Sequence, residues 1–264
     1  VIADWLGSQR LNMYAPVKTY PGHPAEYNLQ GVNEVAVTTE DGLVLNAWFA
    51  PPAKKDAKII VYFRRNTGNI AGLAPSAQLW IDKGYGVYIC EYRGYGGNPG
   101  NPSEEGIYRD ARAGIKWLNA QGYTPAQYVY YGLSMGADVA VQMAYETAPA
   151  LLVLESAAPS VLDVVHLQLP KQPRDFVAQH LTEKFDNINK VPKIRAPVLF
   201  MYGDKDKLVP LELSRKLFDA ANEPKSLKFI PDAGHGDAAV LGADLIALEW
   251  IEEHSRINDH ASAK

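Results

Sequence analysis

Ser134 lies between Gly132 and Gly136 in the segment GLSMG, and its hydroxyl is a candidate nucleophile. A serine hydroxyl attacks a carbonyl carbon only when a base takes its proton and an acid orients that base, so this chemistry also needs a histidine and a carboxylate. The strand-like run YVYYG ends just before Ser134, and a helix-like run follows it. Because G-x-S-x-G exposes its serine at such a strand–turn–helix junction, the pattern predicts a nucleophile rather than a serine in an ordinary glycine-rich turn.

His235 is the histidine whose position best suits a catalytic base among the six in the chain. The segment FIPDAGHGDAA places it in a glycine-flanked loop after the last strand-like run. Three acids also follow strand-like runs: Asp204 and Asp206 in MYGDKDKLVP, and Glu155 at the end of LLVLE. One of them is expected to orient the histidine and stabilise its charged form. Position alone leaves all three open, and a polar turn is the alternative role for the two aspartates.

Short apolar runs that alternate with helix-like segments must position these side chains. The runs are apolar at odd and even positions alike, which is typical of strands buried on both faces. They are KIIVYF, GVYICEY, YVYYG, LLVLE, PVLFMYG and LKFI. Ahead of them, two strand-like runs flank Asp41-Gly42, which is a hairpin signal. The order predicts one α/β domain with a mostly parallel sheet of about eight strands, in which sites form at the carboxyl ends of the strands.

Two helices have clear sequence signals. We expect one to begin at Asn101 as the cap residue, with Pro102 at the first helical position and Glu104 in a capping box, and to end at Gly122. The other is expected over about 237–254. Its predicted apolar face consists of Leu241, Leu245, Leu248 and Ile251.

The composition of the 264 residues is that of an ordinary globular protein, with 47% hydrophobic and 21% charged residues. The net charge of −4 provides no broad basic surface, so no nucleic-acid partner is expected. The single cysteine, Cys90, cannot form an intrachain disulfide and is expected in the core. Neither a cysteine cluster nor an H-x-x-x-H pair is present, so no metal or organic cofactor is expected.

The ordered set of motifs resembles the α/β-hydrolase-fold serine hydrolases of the small esterase, thioesterase and lysophospholipase-like kind, over roughly residues 30 to 255. GLSMG is similar to their nucleophile elbow, GDKDKLVP to their G-x-x-D-x-x-V-P motif, and GHGD to their histidine loop. EYRGYGGNPGNPSEEG also resembles a tyrosine–arginine–glycine loop of this group. The resemblance implies a catalytic triad of Ser134, Asp206 and His235, in the chain order of the family.

The loop in VYFRRNTGNIAG departs from the His-Gly-Asn-x-Gly-Asn pattern that the resemblance leads us to expect. Arg64 and Arg65 replace the His-Gly pair, whereas Asn66, Gly68 and Asn69 match. This loop would supply one backbone N–H group to the oxyanion hole, from Asn66 or else from Arg65. The N–H group of Met135 would supply the other.

The two guanidinium groups of this loop have two possible roles. They point to solvent or pair with surface acids, or at least one faces the pocket mouth and binds a carboxylate or phosphate group of the substrate. We carry Arg64 forward as the substrate-binding candidate.

The domain organisation implied by the resemblance is an N-terminal arm over residues 1–30, followed by a single α/β-hydrolase domain over 31–264. Residues 156–196 form a small cap over an acyl pocket or a surface excursion, with a helix near 174–184. The start at Val1 and the prolines of the arm lead us to expect an upstream signal or membrane anchor. A periplasmic, secreted or membrane-anchored location is therefore favoured over the cytoplasm.

The function predicted from the sequence is hydrolysis of small-molecule carboxylic esters or thioesters through an acyl-enzyme. Two alternatives remain open at this point. One is a non-catalytic binding protein of the same fold, since a fold does not determine a function. The other is a peptidase that uses the same triad, since a triad also cleaves amides.

Overall fold

The computed structural model describes residues 13–168 and 172–262, and the side chains within these ranges as far as residue 255. Its strands are β1 (Ala15–Pro16), β2 (Asn33–Thr38), β3 (Val44–Ala50), β4 (Ile59–Phe63), β5 (Thr67–Gly68), β6 (Gly86–Cys90), β7 (Tyr128–Leu133), β8 (Leu151–Glu155), β9 (Val198–Gly203) and β10 (Lys225–Ile230). Its α-helices are α1 (Ala74–Asp82), α2 (Glu104–Ala120), α3 (Met135–Glu146), α4 (Val161–Gln168), α5 (Arg174–His180), α6 (Leu211–Ala220) and α7 (Ala243–Ser262).

Eight of these strands form one sheet, in the order β10-β9-β8-β7-β4-β6-β3-β2. The pairs β2–β3 and β3–β6 are antiparallel, whereas every other neighbouring pair is parallel. In the predicted hairpin, Thr38 lies opposite Val44 on the two sides of the Asp41-Gly42 turn. The architecture confirms the predicted fold class, a mostly parallel eight-stranded sheet flanked by helices.

The central strands β4, β6, β7, β8 and β9 are buried along their whole length. Residues of α2, α3 and α6 cover one face of the sheet, and residues of α1 and α7 cover the other. This double coverage is the reason the runs are apolar at every position. The parallel pairing of these strands places their carboxyl ends along one edge of the sheet, where the loops after β4, β7, β9 and β10 lie. Cys90, in β6, is buried as expected.

Helix α2 begins two residues later than the sequence pattern predicts. Its cap residue is Ser103, whose hydroxyl accepts a hydrogen bond from the Gly106 N–H at 3.1 Å. Pro102 lies outside the helix, with its Cδ against Gly94, where an added Cβ would come within 2.9 Å. The Glu104 side chain forms no capping box. It accepts instead from the Lys184 N–H, and so joins α2 to the segment before β9.

The C-terminal helix is broken near its start. Residues 238–241 form a 3₁₀ turn, Gly242 adopts a φ of 95°, and α7 begins at Ala243. Leu241 and Leu245, on either side of this break, are exposed, and only Leu248 and Ile251 of the predicted apolar face are buried. None of the helices within 13–168 and 172–262 combines the length and the apolarity that crossing a membrane requires.

The part of the predicted arm that the structure describes is residues 13–30, and its first residues lie against the 64–69 loop. Ala15 and Pro16 pair with Thr67 and Gly68 as a short parallel sheet. The Gly96 N–H donates to the carbonyl of residue 17 at 2.8 Å. The first twelve residues of the arm lie outside the described residues.

The predicted cap, residues 156–196, carries α4 and α5. The predicted helix near 174–184 is the shorter α5, and residues 169–171 lie outside the described residues. Val165, Val177 and Leu181 form a small apolar cluster between these helices. Asp163 on α4 accepts hydrogen bonds from Arg174 at 2.9 Å and from Lys216 at 2.7 Å. These hydrogen bonds join α4 to α5 within the segment and to α6 outside it.

Candidate active site

Ser134 occupies the sharp bend between β7 and α3, with a φ of 54° and a ψ of −119°. A positive φ is costly for a residue with a side chain, so the surrounding structure must enforce it. The flanking glycines permit the necessary contacts. A Cβ added to Gly132 would lie 2.3 Å from the Gly136 carbonyl oxygen, and a Cβ added to Gly136 would lie 1.9 Å from the Phe63 carbonyl oxygen. Only glycine therefore lets β4, β7 and α3 approach closely enough to present the serine.

The structure brings Ser134, His235 and Asp206 together from the ends of three strands. Ser134 Oγ lies 2.8 Å from His235 Nε2, and His235 Nδ1 lies 2.8 Å from Asp206 Oδ2. The other carboxylate oxygen of Asp206 accepts from the N–H groups of Leu208 at 2.9 Å and Val209 at 2.8 Å. Both oxygens of Asp206 are thus held in place. This is the geometry that a serine nucleophile, its base and an orienting acid require.

Asp204, two residues earlier, is exposed, whereas Asp206 is buried. Burial alone would raise the pKa of the Asp206 carboxyl. The hydrogen bonds from His235 and from the backbone N–H groups of Val209 and Leu208 outweigh that effect, and the pKa lies below its usual range. Asp206 is therefore charged at neutral pH and can stabilise a protonated His235.

Glu155, the third candidate acid, lies at the end of β8 but outside the hydrogen-bonded series of Ser134, His235 and Asp206. Its backbone carbonyl accepts from the Ser134 N–H at 2.8 Å. Its side chain is fully buried and accepts from the Tyr131 hydroxyl at 3.0 Å, close to Asp244 on α7. Burial first, and then the charge of Asp244, raise the pKa of Glu155 to about 7.

Glu155→Gln is expected to change how stability depends on pH. The unfolded chain releases this proton near pH 4.5 and the folded chain near pH 7, so ionisation of Glu155 destabilises the fold as the pH rises between these values. The difference amounts to up to about 3 kcal/mol. Urea unfolding from pH 5 to pH 8 should show Glu155→Gln gaining stability relative to the parent chain. The exposed Glu249→Gln serves as the control, and equal pH dependence of all three chains would contradict the assignment.

A cavity of about 220 Å³ opens beside Ser134 and His235. Its walls are mostly apolar, and the segment between β8 and β9 supplies much of them. That segment therefore forms part of the cavity wall. The lining side chains it contributes include Ala158, Val161, Val164, Val165, Leu181 and Phe185.

Asn66 and Met135, the residues predicted to supply the oxyanion hole, line this cavity together with Ser134. Met135 is the first residue of α3, so its N–H group belongs to the free, partly positive end of a helix. The Arg65 side chain is exposed, and its guanidinium donates to the Gly236 carbonyl at 2.9 Å. Arg65 thereby joins the 64–69 loop to the loop that carries His235.

The structure corrects the prediction that Arg64 binds substrate at the pocket mouth. Its side chain is 1% exposed, and its guanidinium lies 3.2 Å from the Glu91 carboxylate. It also donates to the Thr67 carbonyl at 2.8 Å and lies over the Tyr95 ring, 4.5 Å from its centre. The Arg64 guanidinium is thus paired with the buried Glu91 carboxylate and the Tyr95 ring. It faces neither the solvent nor the cavity.

Glu91 and two tyrosines complete the support of the 64–69 loop. Besides pairing with Arg64 at the start of the loop, Glu91 accepts from the Ile70 N–H just after it, at 2.9 Å. The hydroxyl of Tyr92 donates to the Arg64 carbonyl at 3.3 Å, and that of Tyr95 to the Asn66 carbonyl at 2.9 Å. The sequence interpretation missed these roles. The sequence did contain a signal for them: Glu91 directly follows an apolar strand, and a buried carboxylate needs a cation as its partner.

Arg64→Met is expected to destabilise the fold by about 3–5 kcal/mol, because it leaves Glu91 buried without a cation. It should also lower kcat about a hundredfold if the 64–69 loop shifts by an ångström. Urea unfolding and ester-hydrolysis kinetics test both effects.

The double variant Arg64→Met, Glu91→Gln should recover much of the stability, because it removes the unpaired charge and keeps an acceptor for the Ile70 N–H. Arg109→Met removes a partly exposed arginine from its ion pairs with Glu40, Asp41 and Glu105; it is the control and should cost about 1 kcal/mol or less. A loss from Arg64→Met no larger than the loss from Arg109→Met would show that the buried pair is unimportant.

Residues 96–243 match the family model described as the dienelactone hydrolase family. The chain belongs to this family. The Mycobacterium tuberculosis protein MT2364, named as uncharacterized, is 36% identical over 91% of this chain and 85% of its own length. The Arabidopsis thaliana α/β-hydrolase domain-containing protein WAV2 is 28% identical over 96% of this chain and 91% of its own length.

The fold is also that of a Pyrococcus furiosus esterase, Pf2001, which superposes with a TM-score of 0.70 at 22% identity over 94% of this chain and 96% of that one. Membership of the dienelactone hydrolase family and this fold together confirm the family resemblance and the fold class predicted from the sequence. The protein is a hydrolase of the α/β-hydrolase fold.

Proposed function

We propose that the protein hydrolyses carboxylic esters or thioesters through an acyl-enzyme formed on Ser134. The observation that carries this proposal is the hydrogen-bonded series from Ser134 Oγ through His235 to Asp206, with the serine end open to an apolar cavity. A nucleophile, a base and an orienting acid in this order perform acyl transfer on several unrelated folds.

The reaction begins when His235 Nε2 takes the Ser134 proton while Oγ attacks the carbonyl carbon. The N–H groups of Met135 and Asn66 stabilise the oxyanion, and Asp206 stabilises the protonated imidazole. His235 then donates its proton to the departing alcohol or thiol. In the second half, His235 removes a proton from water, which attacks the acyl-enzyme and releases the carboxylic acid.

The size and the lining of the cavity favour substrates with uncharged acyl groups of short to medium length. Its volume of about 220 Å³ lies below the range of about 300–1,000 Å³ typical for drug-sized ligands. Among the residues that the structure describes, none of its lining side chains is a lysine or an arginine. The preference for anionic esters suggested by Arg64 therefore has no support in the cavity wall.

The test is labelling with a serine-directed phosphonate, followed by turnover of p-nitrophenyl esters and matching thioesters from acetyl to decanoyl. We expect a single modified peptide that contains Ser134, and the highest kcat/KM at an intermediate chain length. A folded protein that is neither labelled nor active on any of these compounds would support the non-catalytic alternative.

A further inference from the structure

Among the described residues that line the mostly apolar cavity, Asp138 is the one with a carboxyl side chain, and the proposed reaction does not use it. It lies in the first turn of α3, just after the bend that carries Ser134, and both residues line the cavity. Its side chain is partly accessible and lines the cavity, while its neighbours Ala137 and Val139 are fully buried in the core. An acid at this position lies where the acyl chain of a substrate would run.

One oxygen of Asp138 has a fixed protein partner. Oδ1 accepts from Asn187 Nδ2 at 2.5 Å, and the same amide nitrogen donates to the Ala158 carbonyl at 2.8 Å. Asn187 is fully buried, so these two hydrogen bonds fix the orientation of the carboxyl group. Within the described part of the chain, the other oxygen, Oδ2, has no hydrogen-bond donor.

The charges around Asp138 do not provide a direct ion pair. Burial raises its pKa well above the usual range, and Glu104 adds to that effect, whereas the Asn187 hydrogen bond and the charge of Lys190 oppose it. The Lys190 ammonium lies over the Tyr108 ring and donates to its hydroxyl at 3.3 Å. A carboxyl group in an apolar wall without a cation is costly unless a bound molecule satisfies it.

We propose that Asp138 selects acyl groups that carry a hydroxyl, which binds its free oxygen. This inference rests on the proposed acyl transfer at Ser134. A hydroxyl suits the site because it can donate to a carboxylate and accept from a protonated carboxyl. Because Ser134 and Asp138 line the same cavity, an acyl group bound there can reach both the nucleophile and the carboxyl group.

The experiment compares kcat/KM for p-nitrophenyl hexanoate with that for its 3-hydroxy, 6-hydroxy and 6-amino derivatives. The chains are the parent protein, Asp138→Leu and Asp138→Asn. We expect the parent to prefer one hydroxylated ester and Asp138→Leu to lose that preference by about ten- to a hundredfold, as for one buried hydrogen bond. The preference is measured as the ratio of kcat/KM for the hydroxylated ester to kcat/KM for plain hexanoate within each chain. Asp138→Asn, which keeps a polar group of the same shape, should retain most of the preference.

Gln142→Leu is the matched control, since Gln142 lies one further turn along α3 and its amide donates to Glu146. It should leave the ratio of hydroxylated to plain ester unchanged. A ratio that is the same in the parent and in Asp138→Leu would overturn the proposal. A preference for the 6-amino ester that Asp138→Asn abolishes would also overturn it, because the ligand would then be a cation. If plain hexanoate is not hydrolysed and Ser134 is not labelled, the proposed function itself fails.

Discussion

Ser134→Ala is expected to abolish phosphonate labelling and to lower kcat for esters by about 10⁴-fold or more, because it removes the atom that attacks the carbonyl carbon. Stability should change little. Alanine occupies the same backbone conformation with the same strain, and the change removes only one partly exposed hydroxyl. Activity is measured with p-nitrophenyl esters, labelling by mass spectrometry, and stability by urea unfolding.

The control for this experiment is Ser156→Ala. Ser156 lines the same cavity and also has a positive φ, of 53°, but its hydroxyl has no hydrogen-bond partner in the described part of the chain. The Ser156→Ala protein should still be labelled by the phosphonate. Labelling that persists in Ser134→Ala, at whatever residue, would place the nucleophile elsewhere.

Asp206→Asn is expected to lower kcat by about 10³- to 10⁴-fold, because an asparagine amide favours the wrong tautomer of His235 and cannot stabilise its charged form. Asp204→Asn is the matched comparison, two residues away in the same loop. Because Asp204 is exposed and Asp206 is buried with both oxygens bonded, Asp204→Asn should stay within about threefold of the parent chain, in line with surface substitutions generally.

The measurement is kcat and KM for one neutral ester across the two variants and the parent chain, with unfolding curves to confirm that each variant is folded. Comparable small losses from both variants would exclude Asp206 as the orienting acid. Glu155→Gln would then be the next variant to assay, because Glu155 is the remaining candidate at a neighbouring strand end.

The sequence alone was sufficient for the sheet and for the order of the three triad candidates. Strands such as β4 and β7 are buried on both faces, so each residue must be apolar, and that requirement is visible in the one-dimensional pattern. Likewise, Gly132 is required by its close contact with the Gly136 carbonyl in the same turn, which a short motif records. Helix ends were less well determined, since Asn101 and Ser103 are both good cap residues and only the position of Pro102 against Gly94 separates them.

Only the tertiary structure determined which partners the charged side chains have. In the sequence, Arg64 and Arg65 are equivalent neighbours, yet one is buried against Glu91 and the other reaches Gly236 across the site. In the sequence, Asp138 is one of several polar residues in a mostly apolar helix. Only the cavity that it lines distinguishes it from the others. The physical reason is that burial follows from local periodicity, whereas an ion pair or a cavity wall depends on residues that are distant in sequence and meet only when the sheet and its loops are assembled.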